Sequence, residues 1–152
     1  MRLDMIITAD LVKHDFEVIG AELKRRKEEL AEFESFFTSP RIASYGNVTG
    51  RPAEKADRSE IRMLALERRR QAIDRLEQGL ERDIARIEGC FKGWEESQAV
   101  LRLRYVHGKT VDEVTEAIYH IRRFETGKWN SYKRQVFRLE SKAFETIADQ
   151  VK

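Results

Sequence analysis

The 152-residue chain holds a single cysteine, Cys90, so no disulfide can close within it, and a reducing compartment is its natural home. Its two prolines, Pro40 and Pro52, leave long stretches with no residue that breaks a helix. No apolar run approaches the roughly 20 residues needed to cross a bilayer. The acidic opening, with Asp4 and Asp10, also lacks the charge pattern of a secretory signal, so a cytosolic protein without a membrane partner is expected. The three histidines, His14, His107 and His120, stand far apart. There is no paired-cysteine or His-Glu-x-x-His metal spacing and no glycine loop of the kind that cradles phosphate. Carboxylates are plentiful but interleave with Lys and Arg, as on solvated helix faces. The expectation is no enzyme, hence no catalytic residues, no metal and no cofactor.

What the chain does have is charge and helix formers. Charged residues make up 37% of it, and Ala, Leu, Glu, Lys and Arg dominate long stretches, the composition of exposed amphipathic helices. The net charge of +2 hides an asymmetry: 18 basic and 20 acidic residues lie up to Ser97, but 11 basic and 7 acidic residues follow it. A positive end on a slightly acidic body concentrates phosphate contacts, because counterion release rewards clustered cations rather than total charge.

Val12, Phe16, Ile19, Leu23, Leu30, Phe33 and Phe37 keep a three-four alternation broken only by Arg26, which predicts one long helix ending near Thr38. The belt from Lys24 to Glu29 reads as solvated surface. Ser39-Pro40, Gly46-Asn47, Gly50 and Pro52 then predict a loop over residues 39–56. Asp57 with Glu60 three positions later forms a capping-box pattern that restarts the helix. Ile61, Leu64, Ile73, Leu76, Leu80, Ile84, Ile87, Phe91 and Trp94 give a second long helix fading at Gly89 and Gly93. Two such seams pair as a long antiparallel hairpin over residues 1–96. A two-helix hairpin buries too little to be comfortable alone, so a homodimer or higher homo-oligomer is expected, with docking on the tail as the alternative.

From residue 97 the pattern shortens. Val100-Leu101-Arg102-Leu103-Arg104-Tyr105-Val106, then His107-Gly108-Lys109, then Thr110-Val111-Asp112-Glu113-Val114 read as helix, tight turn, helix. Gly108 suits the left-handed residue that ends a helix, and Thr110 with Glu113 makes a second capping box. This segment resembles the opening of a sigma-factor region 4 helix-turn-helix. With the preceding helices and their Ser-Pro and Gly-rich loop, the chain resembles phage-encoded late-transcription regulators of the ArpU and RinA type. The resemblance implies that residues 97–152 form a DNA-binding module closed by a recognition helix at about 130–148, matching Asn130-Ser131-Tyr132-Lys133-Arg134-Gln135-Val136-Phe137-Arg138 with its capping Asn or Ser. It also implies a sequence-specific regulator of phage or prophage origin, acting in the cytoplasm of a bacterial host. RNA polymerase enters as a further partner only through the sigma-factor likeness.

Helical geometry makes Val136, Leu139, Ala143 and Ile147 an inward stripe and leaves Lys133, Arg134, Arg138 and Lys142 to face outward. A helix entering a major groove needs donors at its exposed first turns: Ser131 and the free amides for phosphate, Arg134 and Arg138 for guanine, and Gln135 for adenine if it points outward. Trp94, Phe124, Trp129 and Phe137 read as core rather than as stacking platforms. Tyr119 to Trp129 is about ten residues more than the usual short turn between such helices. The helix before it is expected to run to about Phe124 and turn through Thr126-Gly127, with Arg122, Arg123 and Lys128 gripping phosphate beside the groove. The overall expectation is an all-α protein that binds double-stranded DNA. A small-terminase-like packaging protein and a structural helical adaptor without DNA affinity are the rival readings.

Overall fold

The computed structural model describes residues 7–38, 52–123 and 127–151, and among these it is all-helical. Five α-helices follow in order: α1 (Ala9–Thr38), α2 (Pro52–Ala85), α3 (Trp94–Leu101), α4 (Val111–Tyr119) and α5 (Trp129–Val151). A π-helical turn, Arg102–Val106, continues α3. The chain divides into two compact units, Met1–Glu22 with Glu77–Lys152 and Leu23–Leu76, here called the terminal and the middle unit.

That division cuts across a boundary at residues 96 and 97, because the start of α1 and the end of α2 bury their apolar residues with the last three helices. Phe16 is 2% exposed and meets the rings of Tyr105 and Phe144 at 5.4 and 5.3 Å. Gln98 donates at 3.1 Å to the Ile84 carbonyl, which also accepts from the Ile87 N–H at 3.4 Å where α2 ends, and Arg102 holds Glu81 at 2.8 Å. Leu80, Ile84, Ile87, Val100 and Leu101 are fully buried in the same unit. Each such side chain contributes about 1.5–3 kcal/mol relative to exposure, which makes this the stability centre of the terminal unit. Gly20 brings α1 close: a Cβ there would stand 3.3 Å from the Tyr105 carbonyl oxygen and ring.

Two element ends differ from expectation. Helix α2 starts at Pro52, so the helix already runs through Asp57 and the expected loop loses residues 52–56. Proline suits the first helical position, since its fixed φ is helical and the N–H it lacks would go unpaired there. The rest of the expected loop, residues 39–51, lies outside the described residues. The α-helix of α2 stops at Ala85 and passes through tight turns, with Glu88 N–H to Ala85 O at 3.1 Å and Cys90 N–H to Ile87 O at 3.1 Å, before Gly89 and Gly93 take positive φ. Trp94 therefore opens α3 instead of continuing α2. In the middle unit, Leu23 and Ile73 are buried, Arg70 pairs with Glu34 at 2.9 Å, and Arg69 lies over the Phe33 ring. Ile61, Met63 and Leu64 are each more than half exposed.

Candidate nucleic-acid interface

The turn between the π-helical segment and α4 is built by three local devices. Gly108 adopts φ 66, and the Lys109 N–H donates back to the Leu103 carbonyl at 2.9 Å, a seven-residue closure one residue wider than the usual one at a left-handed glycine, in keeping with the π-helical turn before it. Thr110 then caps α4, its hydroxyl accepting from the Glu113 N–H while the Glu113 carboxylate accepts from the Thr110 N–H, both at 3.3 Å. Those bonds to Thr110 hold the Glu113 carboxyl below its ordinary value of 4.5.

Val100 of α3, Val114 of α4 and Val136 and Leu139 of α5 form one buried cluster, flanked by Leu103, Val111, Ile118 and Tyr119. Ser97 donates to the Leu139 carbonyl at 2.9 Å and ties α3 to α5. A buried network adds a second tie: Arg104 and the Tyr105 hydroxyl both engage the Glu140 carboxylate, which is only 2% exposed. Two oxygens and two donors from one segment fix the rotation of α5 about its own axis, and so decide which side chains face out.

Val136, Leu139, Ala143 and Ile147 are all buried, with Trp129, Glu140, Phe144 and Ala148. Ser131, Arg134, Gln135, Arg138 and Lys142 are all exposed. At about 100° per residue these five fall within one narrow arc, opposite the buried stripe. Among the described residues, Arg134 and Arg138 make no ion pair, while Lys142 lies over the Phe91 ring at 5.4 Å. Glu140 points into the core, and Glu145 and Asp149, exposed on the same side of the helix, lie beyond the arc toward the C-terminus. The exposed N-terminal half of α5 is therefore cationic.

Lys133 stands elsewhere. It lies about 140° around the helix from Arg138, is half-buried, and reaches Asp112 of α4 at 3.0 Å. The same carboxylate receives Arg123 of the insert at 3.8 Å. Helix α4 stops at Tyr119, not near Phe124, because His120 takes φ 53, a left-handed conformation that ends the helix. Arg122 and Lys128 are exposed on the insert and hold contacts of their own. Phe124 and Thr126 lie outside the described residues. Helix α5 opens at Trp129, with the Ser131 and Tyr132 N–H groups donating to Lys128 O at 3.0 and 3.2 Å, so Asn130 and Ser131 sit in the first turn and do not cap it.

Two contributors escaped the sequence reading. Asp112 was not singled out from the sequence, and only the fold brings it to Lys133 and Arg123. Phe137, expected in the core with Trp94 and Trp129, is 41% exposed beside the Arg134 edge, whereas Trp129 is buried and Trp94 half-buried. Among the described residues no cluster of His, Cys, Asp and Glu could hold a metal, and no helix is long and apolar enough to cross a membrane. Comparison with protein-family models, with curated proteins and with solved structures finds no match to this chain.

Proposed function

We propose that the chain is a sequence-specific, DNA-binding transcriptional regulator of phage or prophage origin, of the ArpU and RinA type, with α5 as its recognition helix. The observation that carries this reading is the exposed arc of Ser131, Arg134, Gln135, Arg138 and Lys142 on a helix whose opposite stripe is buried. Arg134 and Arg138 take the bidentate contacts to guanine, Gln135 those to adenine, and Ser131 with the first amides of α5 a phosphate. The insert cations Arg122, Arg123 and Lys128 supply backbone contacts beside the groove. Two copies joined through the long helices would offer two such helices to half-sites about one helical turn apart.

The test substitutes Lys133, Arg134 and Arg138 together by Ala and compares binding to phage promoter DNA with binding to random duplex. Loss of the preference with unchanged helicity is the expected result, and binding as tight as the parent's overturns the assignment of α5. A second reading, a helical adaptor or a small-terminase-like ring protein, draws on Ile61, Met63 and Leu64, whose exposure favours self-association. Molar mass by light scattering separates them: a dimer fits regulation, and a ring of many subunits fits packaging.

A further inference from the structure

The Asp112 carboxylate is shared by two of the candidate DNA-contacting cations. Lys133 approaches Oδ1 at 3.0 Å from the first turns of α5, and Arg123 approaches Oδ2 at 3.8 Å from the insert. Oδ1 is buried and accepts no well-angled hydrogen bond, so the ammonium beside it is what compensates its charge. If Lys133 left, the half-exposed carboxylate would lose its nearest cation, a modest cost because water reaches both side chains and Arg123 faces the same group. Arg134 and Arg138 meet no such cost, since among the described residues they make no ion pair.

We propose that Asp112 is a specificity-setting residue: it withholds Lys133 and Arg123 from phosphate, so that the two cations join the DNA contact only when base contacts from α5 offset their release. Random duplex offers phosphate but few base contacts, and meets the outer arc alone. A matched site adds base contacts, brings the backbone close, and draws Lys133 and Arg123 across. Asp112 thus lowers affinity for any duplex but lowers it most for the wrong one, which is how specificity arises as a difference between affinities. This inference rests on the DNA-binding reading of α5.

The experiment measures binding to random duplex over a range of salt concentrations for the parent, for Asp112→Asn, and for Asp112→Asn in a Lys133→Gln/Arg123→Gln background. Asp112→Asn is expected to bind random duplex severalfold more tightly, with a salt slope steeper by about 1, chiefly from Lys133, since Arg123 holds a further contact of its own. In the double-Gln background the same substitution should have little effect, a coupling that a merely structural role or the loss of one surface charge would not produce. Asp112→Glu, which keeps the charge, should restore parental behaviour. An unchanged slope for Asp112→Asn, or an equal gain in both backgrounds, overturns the inference while leaving the DNA-binding reading standing. No binding by any variant overturns both. Should Asp112→Asn fail to fold, the parent's Lys133 ammonium signal is followed by NMR: it should stay put with random duplex and shift with promoter DNA, and the same response to both overturns the inference.

Discussion

Glu140 is an acidic residue on a cationic helix, yet it is among the most buried groups in the terminal unit. Its two partners, Arg104 and Tyr105, make it a clamp on the rotation of α5. Breaking a buried pair from one side strands the other charge, so Glu140→Ala should cost about 3–5 kcal/mol in urea unfolding. A cost below about 1 kcal/mol would place the pair with the weak surface bridges instead. Burial, together with the hydrogen bond to Glu140 and its charge, pushes the Tyr105 hydroxyl well above its ordinary value of 10.0. The unfolded chain therefore gives up this proton at a lower pH than the folded one. The stabilisation is complete below about pH 10 and declines as pH rises further. Tyr105→Phe should reduce the alkaline fall in stability, and an undiminished fall contradicts the assignment.

The elements show which ends a sequence can announce. Gly108, Thr110 and Glu113 act within a few residues of each other, so both the left-handed turn and the capping box were legible, as was the end of α1 at Thr38. The end of α4 was not, because a histidine does not announce a left-handed φ of 53 as a glycine does. Pro52 misled for the opposite reason: beside glycines it reads as loop, although it can equally open a helix. Thr110→Ala should cost about 1 kcal/mol by thermal or urea unfolding, within the range of lost helix caps. The Glu113 carboxyl is held below 4.5 when folded, so its contribution is present above that pH and fades as the solution is acidified; Thr110→Ala should weaken this acid dependence. Gly20→Val, whose Cβ would crowd the Tyr105 backbone, should lower the midpoint of unfolding, and an unchanged midpoint would mean that α1 is free to move away.

At the scale of the whole molecule, the tail's excess of cations gathers on the exposed half of one helix and on the insert before it, while the acids of α5 are buried or displaced toward its end. The inward stripe of Val136, Leu139, Ala143 and Ile147 was legible because helical period alone fixes it. The position of Lys133 was not read correctly, although the same period places it nearer Val136 than Arg138. The role of Asp112 depends on contacts between α4, the insert and α5 that no local pattern contains. If the arc enters a groove, Arg134→Ala and Arg138→Ala should each lower the salt slope of DNA binding by about 1 if the arginine meets phosphate, or cost about 1–3 kcal/mol at one base pair if it reads a base. The most direct measurement is an NMR titration of the labelled protein with duplex DNA. The largest shifts should fall on Ser131, Arg134, Gln135 and Arg138 and on the insert around Arg122 and Lys128. Shifts confined to the middle unit, or none at all at low salt, would contradict the DNA-binding reading of α5.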